Sequence, residues 1–181
     1  RTCKKEPTVK IKTKNIDIMS TKLEIELDNP DNINIENYRY IVYNKELQII
    51  SEENLENSTI TLEKPDPSET YIIKVLGNYD IGDGEGNQID KEIGNTKFIV
   101  PSLSSLGYVR ANLETKDITS EEANLLVTLD LEKTDYRLIY LMSKFEINIV
   151  NENNTIFNYT IENDELEKIK NGEQIQININ G

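Results

Sequence analysis

Alternation of apolar and polar residues along short runs is the feature that most limits the folds open to this chain. Leu23-Glu24-Ile25-Glu26-Leu27 alternates apolar with acidic residues, Val9-Lys10-Ile11-Lys12 apolar with basic, and Gln174-Ile175-Gln176-Ile177-Asn178-Ile179 apolar with amide. In a β-strand successive side chains leave on opposite faces, so each run presents one apolar and one solvated face. That is what an antiparallel strand packed on one side against a core requires. A helical stripe needs a period near 3.6, which these runs do not have.

Further strands are expected at Tyr38-Arg39-Tyr40-Ile41-Val42-Tyr43, Leu47-Gln48-Ile49, Thr59-Ile60-Thr61-Leu62, Tyr71-Ile72-Ile73-Lys74-Val75-Leu76 and Lys97-Phe98-Ile99-Val100. These are rich in the β-branched and aromatic residues that suit a pleated surface. Seven candidate strands thus precede Pro101. Asp28-Asn29-Pro30-Asp31-Asn32 and Lys64-Pro65-Asp66-Pro67-Ser68 are turn sequences between them. Gly77, Gly82, Gly84, Gly86 and Gly94 cluster after the sixth strand, where tight connections need positive φ. Short strands at regular spacing with this punctuation predict a β-sandwich.

The stretch Pro101-Ser102-Leu103-Ser104-Ser105-Leu106-Gly107 breaks the pattern and reads as a linker. A second series follows at 109–113, 124–129, 145–150, 155–159 and 174–179, five strands in all. One helix is predicted, Asn163 to Gly172, with Asn163 as N-cap, acids in the first turn, lysines in the last and Gly172 just past the end. The predicted organisation is a disordered N-terminal segment over 1–6, a β-sandwich over 7–101, a linker over 102–106 and a second sandwich over 107–181. The fold class is all-β, two tandem antiparallel β-sandwich domains with one short helix in the second.

Composition narrows the chemistry. The 181 residues include no His, no Trp and one Cys, Cys3. A Ser-His-Asp triad, a Cys-His dyad and an HExxH zinc site are therefore excluded, as is an internal disulfide. Cys3 is expected to be a free thiol near the N-terminus, with a lipid anchor or an intermolecular disulfide as the alternative. The net charge is −13, shared as −6 over residues 1–101 and −7 over residues 102–181. Both halves should repel nucleic acid and anionic membrane surfaces. No apolar run approaches the length of a membrane-spanning helix, about 20 residues. The chain begins on Arg1 and is expected to be a fragment or mature segment of a longer protein.

Two clusters invite a functional reading. Asp80, Asp83, Glu85, Asn87 and Asp90 line the glycine-rich loop and offer oxygen ligands of the kind Ca²⁺ takes, although the order is not that of an EF-hand. The competing reading is a long hairpin loop with solvated acids, and no cofactor or metal is expected. Tyr38 and Tyr40 share a strand face, with Tyr43 on the other. As exposed aromatics they would stack on sugars or anchor a protein partner; as sheet residues they would be half-buried. The sequons at Asn57, Asn153 and Asn158 are read as coincidences of an Asn-rich chain.

The first half resembles a fibronectin type III domain. Asn29-Pro30-Asp31-Asn32-Ile33-Asn34-Ile35-Glu36-Asn37-Tyr38-Arg39-Tyr40-Ile41-Val42-Tyr43 is similar to that family's B–C turn and strand C. Leu62, Pro67, Thr70, Tyr71, Ile73 and Val75 resemble its approach to strand F. The resemblance implies that Tyr71 forms a tyrosine corner, with Leu62 and Pro67 as structural positions. The family's core Trp on strand B is absent, so Leu23, Ile25 and Leu27 would fill its space. More narrowly, Tyr71 to Val75 with Tyr79-Asp80-Ile81-Gly82-Asp83-Gly84-Glu85-Gly86 resembles β-sandwich modules of large secreted or wall-bound Gram-positive proteins. Among these are non-catalytic regions of zinc metallopeptidases of the immunoglobulin A protease type; phage tail and baseplate modules are also similar. The second half is similar to the module that follows in such peptidases and is expected to be an immunoglobulin-like or fibronectin-like sandwich.

The resemblance implies a non-catalytic spacer or adhesion module, extracellular or cell-wall associated. Its partners would be other domains of the same chain and a host protein or glycan, with no nucleic acid and no membrane insertion. The alternatives are a ligand- or carbohydrate-binding adhesin module and a phage tail or baseplate component. The catalytic zinc motif of the peptidases is absent, so no enzyme activity is expected of the chain itself.

Overall fold

A computed structural model describes residues 4–152 and 154–180. The expectations for Cys3 and for the Asn153 sequon fall outside those residues. The chain divides into two compact units, residues 1–102 and 103–181.

The first unit holds seven antiparallel strands: β1 (Thr8–Asn15), β2 (Ser20–Asp28), β3 (Glu36–Tyr43), β4 (Ile49–Asn54), β5 (Thr59–Glu63), β6 (Thr70–Tyr79) and β7 (Gln88–Ile99). They form two sheets, ordered β1-β2-β5 and β4-β3-β6-β7. Three strands face four in an antiparallel β-sandwich. The alternation places Leu23 and Ile25 of β2, Val42 of β3, Ile60 of β5, Ile73 and Val75 of β6 and Phe98 of β7 in one buried core. On the solvated face of the first sheet the same alternation pairs Lys12 with Glu26 at 2.8 Å and Lys14 with Glu24 at 2.9 Å. The register puts Lys12 opposite Glu24, so the Lys12–Glu26 pair is diagonal, and exposed pairs of this kind contribute little to stability.

Leu27, expected to help fill the missing Trp's space, is 43 % exposed instead. The register explains this. The ladder of β2 with β5 ends at Glu24 opposite Thr59, so the last residues of β2 run past the end of β5. Nor are residues 4–6 a loose segment. The backbone N–H of Lys4 donates to the Ile81 carbonyl, that of Lys5 donates to Asp31 Oδ2, and Lys5 Nζ pairs with Asp28 at 2.7 Å.

The final strand of this unit begins nine residues earlier than its alternation indicated, and Gly94 lies inside it, paired with Val75. Its glycine serves close approach rather than a turn. The edges β1 and β7 of the two sheets meet here, and a methyl group on Gly94 would overlap the side chain and carbonyl of Val9. One lateral side of the sandwich is thereby closed. On the other side the edges β4 and β5 leave a groove.

The second unit contains β8 (Ala111–Lys116), β9 (Glu122–Leu129), β10 (Phe145–Asn151), β11 (Asn154–Ile161) and β12 (Ile175–Asn180), with helices α1 (Tyr136–Leu141) and α2 (Asn163–Lys170). Five strands match the five runs of the sequence, while α1 was not foreseen. The stretch read as a plain linker holds a 3₁₀ turn, Leu103–Leu106. A three-stranded antiparallel sheet, β12-β9-β8, accompanies the hairpin β10-β11. Leu125, Val127 and Leu129 of β9 and Ile175 and Ile177 of β12 share one buried cluster with Ile147, Ile161 and, from α2, Leu166 and Ile169. Helix α2 thus supplies apolar cover that further strands supply in a complete sandwich.

Helix α2 ends as its composition predicts. Gly172 has φ of +84°, its N–H donates to the Ile169 carbonyl, and the N–H of Glu173 donates to that of Lys168, which is a Schellman cap. Its start differs. Glu162 occupies the N-cap without a side-chain cap bond, and Asn163, the expected cap, is the first helical residue with φ of +53°. Asn tolerates that left-handed conformation better than other non-glycine residues.

Candidate functional site

The β6–β7 connection spans residues 80–87. Asp80 Oδ1 accepts the Gly82 N–H at 2.7 Å and Asp83 Oδ1 accepts the Glu85 N–H at 2.9 Å. Each carboxylate therefore closes its own local turn. Gly82, Gly84 and Gly86 all have positive φ, the conformation those turns need. Asp90 lies beyond the loop, on β7, where its Oδ1 pairs with Arg39 Nη2 at 2.8 Å. Among the described residues no group of three or more Asp, Glu or Cys side chains is placed to hold a metal ion. The candidate calcium set Asp80, Asp83, Glu85 and Asp90 is not brought together.

Arg39, which the sequence did not single out, organises the outer face of the four-stranded sheet. Its guanidinium also binds Glu52 of β4 at 2.8 Å and donates to the Asn37 carbonyl. Burial is the largest influence and lowers its pKa, but the hydrogen bonds that Arg39 donates to Glu52 and Asp90 raise it on balance. It stays charged and ties β3 to both edge strands.

Tyr38 and Tyr40 do share a face, and it is the inward one. Tyr40 lies in register with Val75, and Val42, two residues on, lies in register with the fully buried Ile73. Both tyrosines are half-buried, and burial raises both phenol pKa values, with Glu53 adding to the effect at Tyr40. They are not an exposed aromatic platform. Tyr40 instead lines the groove between β4 and β5, a cleft of about 450 Å³ that also takes in Tyr71, Leu62 and Asp66. Tyr43, on the opposite face, lies under Lys74 Nζ at 5.4 Å from the ring centre.

Tyr71 is buried, and its hydroxyl accepts the Asp66 N–H at 2.9 Å, five residues upstream. Burial is the main cause that raises its pKa. Leu62 and Pro67 are half-buried around this corner, whereas Pro65 is the buried proline of the turn. Replacing the hydroxyl leaves the Asp66 N–H without its acceptor at the cost of about 1 kcal/mol. Tyr71→Phe is expected to lower the urea midpoint of the first unit accordingly; an unchanged midpoint would show that the bond contributes nothing.

A second cleft lies in the second unit, about 540 Å³ between α1 and the C-terminal end of α2. Asp135 caps α1, with Oδ1 accepting the Arg137 N–H at 2.9 Å, and the Arg137 guanidinium grips both carboxylate oxygens at 3.0 and 2.8 Å. This fixes the start of α1 and hence Tyr136 and Tyr140, one turn apart. Tyr136 is 70 % and Tyr140 54 % exposed. Sequence reasoning missed them because Tyr136-Arg137-Leu138-Ile139-Tyr140-Leu141 is too short for a helical period to stand out.

The Arg137 fork, and after it the Arg137 backbone N–H, holds the Asp135 carboxyl down at about 2. An acid with a folded pKa below its unfolded value of about 3.9 stabilises the fold above that value. The contribution is lost as pH falls through the folded pKa. A carboxyl ¹³C titration is expected to place the Asp135 midpoint near 2; a midpoint near 4 would show that the fork is not formed in solution.

No family model matches the chain, and no curated protein matches it. Among solved structures, a segment of two fibronectin type III domains from chicken tenascin is similar, with 11 % identity over 96 % of this chain and 82 % of that one, at a TM-score of 0.38.

Proposed function

We propose that the chain is a non-catalytic structural and interaction module, serving as a spacer or adhesion segment of a bacterial cell-surface or secreted protein. The observation that carries this reading is the tandem of two compact units, each with its own buried apolar core. A spacer needs this, because units that fold independently hold their length under load and pass no unfolding to a neighbour. The shared −13 charge keeps such a surface solvated and discourages pairing between strand edges. No helix among the described residues is long and apolar enough to cross a membrane. In this reading the chain works outside the cell, and its partners are flanking domains and a host protein or glycan.

Stretching the whole chain by force spectroscopy tests it. Two separate unfolding events are expected, with contour increments on the order of 30 nm and 25 nm at roughly 3.5 Å per residue. A single event releasing the whole length would overturn the spacer reading.

A further inference from the structure

We infer that the cleft between α1 and α2 is a binding site for an uncharged oligosaccharide. The inference rests on the reading of the chain as an interaction module but not on its cell-surface setting. Three properties of the cleft point to this ligand.

The first is the aromatic wall. Tyr136 and Tyr140 line the cleft from one helix, a turn apart, each more than half exposed, with the Arg137 guanidinium 5.9 Å from the centre of the Tyr136 ring. A solvated aromatic ring in a concave site offers an electron-rich face to C–H groups, and the face of a pyranose ring is a row of such groups. The α1 start is clamped by the Asp135–Arg137 fork, so the rings are carried on a preorganised element.

The second is the opposite wall. Glu167, Lys170 and Asn171 lie on one face of α2 at its C-terminal end and line the same cleft. Among the described residues their side chains hold no hydrogen bond or ion pair within the chain. Together they supply a carboxylate acceptor, an ammonium donor and an amide that does both. Sugar hydroxyls are donors and acceptors at once and use all three. A purely apolar occupant would strip water from these groups and return nothing.

The third is charge. The cleft carries one carboxylate and one ammonium within a chain of net charge −13. It therefore favours neither an anion, which would meet Glu167, nor a cation, which would meet Lys170. Leu131 and Ile139 add apolar surface at the cleft, and the volume lies within the range of small-ligand sites, about 300–1,000 Å³.

The test is calorimetric titration of the full chain with maltohexaose, cellohexaose and hexa-N-acetylchitohexaose, each to about 5 mM, enough to detect a Kd of ~1 mM. At least one is expected to bind. Tyr136→Ala and Tyr140→Ala should each weaken that binding about fivefold or more, from the loss of one ring contact. Asn171→Ala should weaken it by less. Tyr40→Phe, in the other unit, should leave it unchanged. Far-UV circular dichroism and a cooperative thermal transition like the parent's in both variants exclude misfolding as the cause. Absence of binding by all three sugars overturns the inference. So does binding that survives both substitutions, or a concentration-dependent sedimentation coefficient that Tyr136→Ala abolishes, which would make the cleft a self-association surface. None of these outcomes alters the number of force-unfolding events, so the two readings fail separately.

Discussion

Ile161→Ala is expected to destabilise the second unit by about 2–5 kcal/mol. Ile161 is fully buried at the end of β11, in register with Phe145 of β10, and belongs to the cluster that joins the hairpin to α2 and to the β12-β9-β8 sheet. Truncation removes three carbons from the place where these layers meet, and close-packed neighbours relax only in part. A unit of this size is stable by only about 4–12 kcal/mol, so the loss is a large fraction of the whole. Urea unfolding followed by NMR should show resonances of the second unit lost at much lower denaturant while those of the first unit keep their midpoint. Ile161→Val, which removes one methyl group, should cost about 1 kcal/mol and leave the unit folded. Equal midpoints for Ile161→Ala and the parent would mean that α2 and the hairpin do not share a core. A parallel fall in the first unit would mean that the two units are not independent.

Gly94→Ala is expected to cost the first unit about 2–3 kcal/mol, a large penalty for adding one carbon. In an ordinary strand the same change is favourable, because glycine loses more conformational freedom on folding. Gly94 has no positive φ to defend, so strain of that kind plays no part. The cost comes from Val9, whose carbonyl oxygen would lie 2.5 Å from the new carbon. A side chain could rotate away, but a strand carbonyl moves only with β1. Denaturant unfolding should therefore show a lower midpoint for the first unit and no change for the second. An unchanged or raised midpoint would show that β1 and β7 do not close that side of the sandwich.

These two positions also mark how differently the sequence discloses its parts. Ile161 lies two residues beyond the strand expected over 155–159, on the face that Phe157 and Tyr159 share, so a local extension of that strand accounts for its place. Gly94 sits in a glycine-rich stretch that, read locally, predicts turns. Only the approach of β1 from the other sheet shows why a side chain is excluded there, and β1 is some 80 residues distant in sequence. The same holds for the candidate sites. Tyr38 and Tyr40 could be assigned to one strand face from spacing alone, but an aromatic strand does not say which face meets the opposite sheet. Asp90 belonged with the loop acids by proximity in sequence, yet its partner is Arg39, 51 positions away. The α1–α2 cleft depends on two short helices more than 20 residues apart and leaves no local motif.

What the sequence by itself determined is local. Period-two alternation and β-branched runs set most of the strands, though β4 and β7 share only their ends with the runs at 47–49 and 97–100; proline and glycine punctuation set many of the turns, and the acids, lysines and glycine of residues 163–172 set the body and end of α2. Each of these follows from backbone sterics and capping within a few residues. Tertiary structure decided what no short window contains: which strand face is covered, where two backbones come too close for a side chain, which carboxylate finds a guanidinium, and which tyrosines remain in solvent. The physical reason is that burial and ion pairing are properties of opposing layers. A strand carries the pattern for one layer, and only the fold supplies the other.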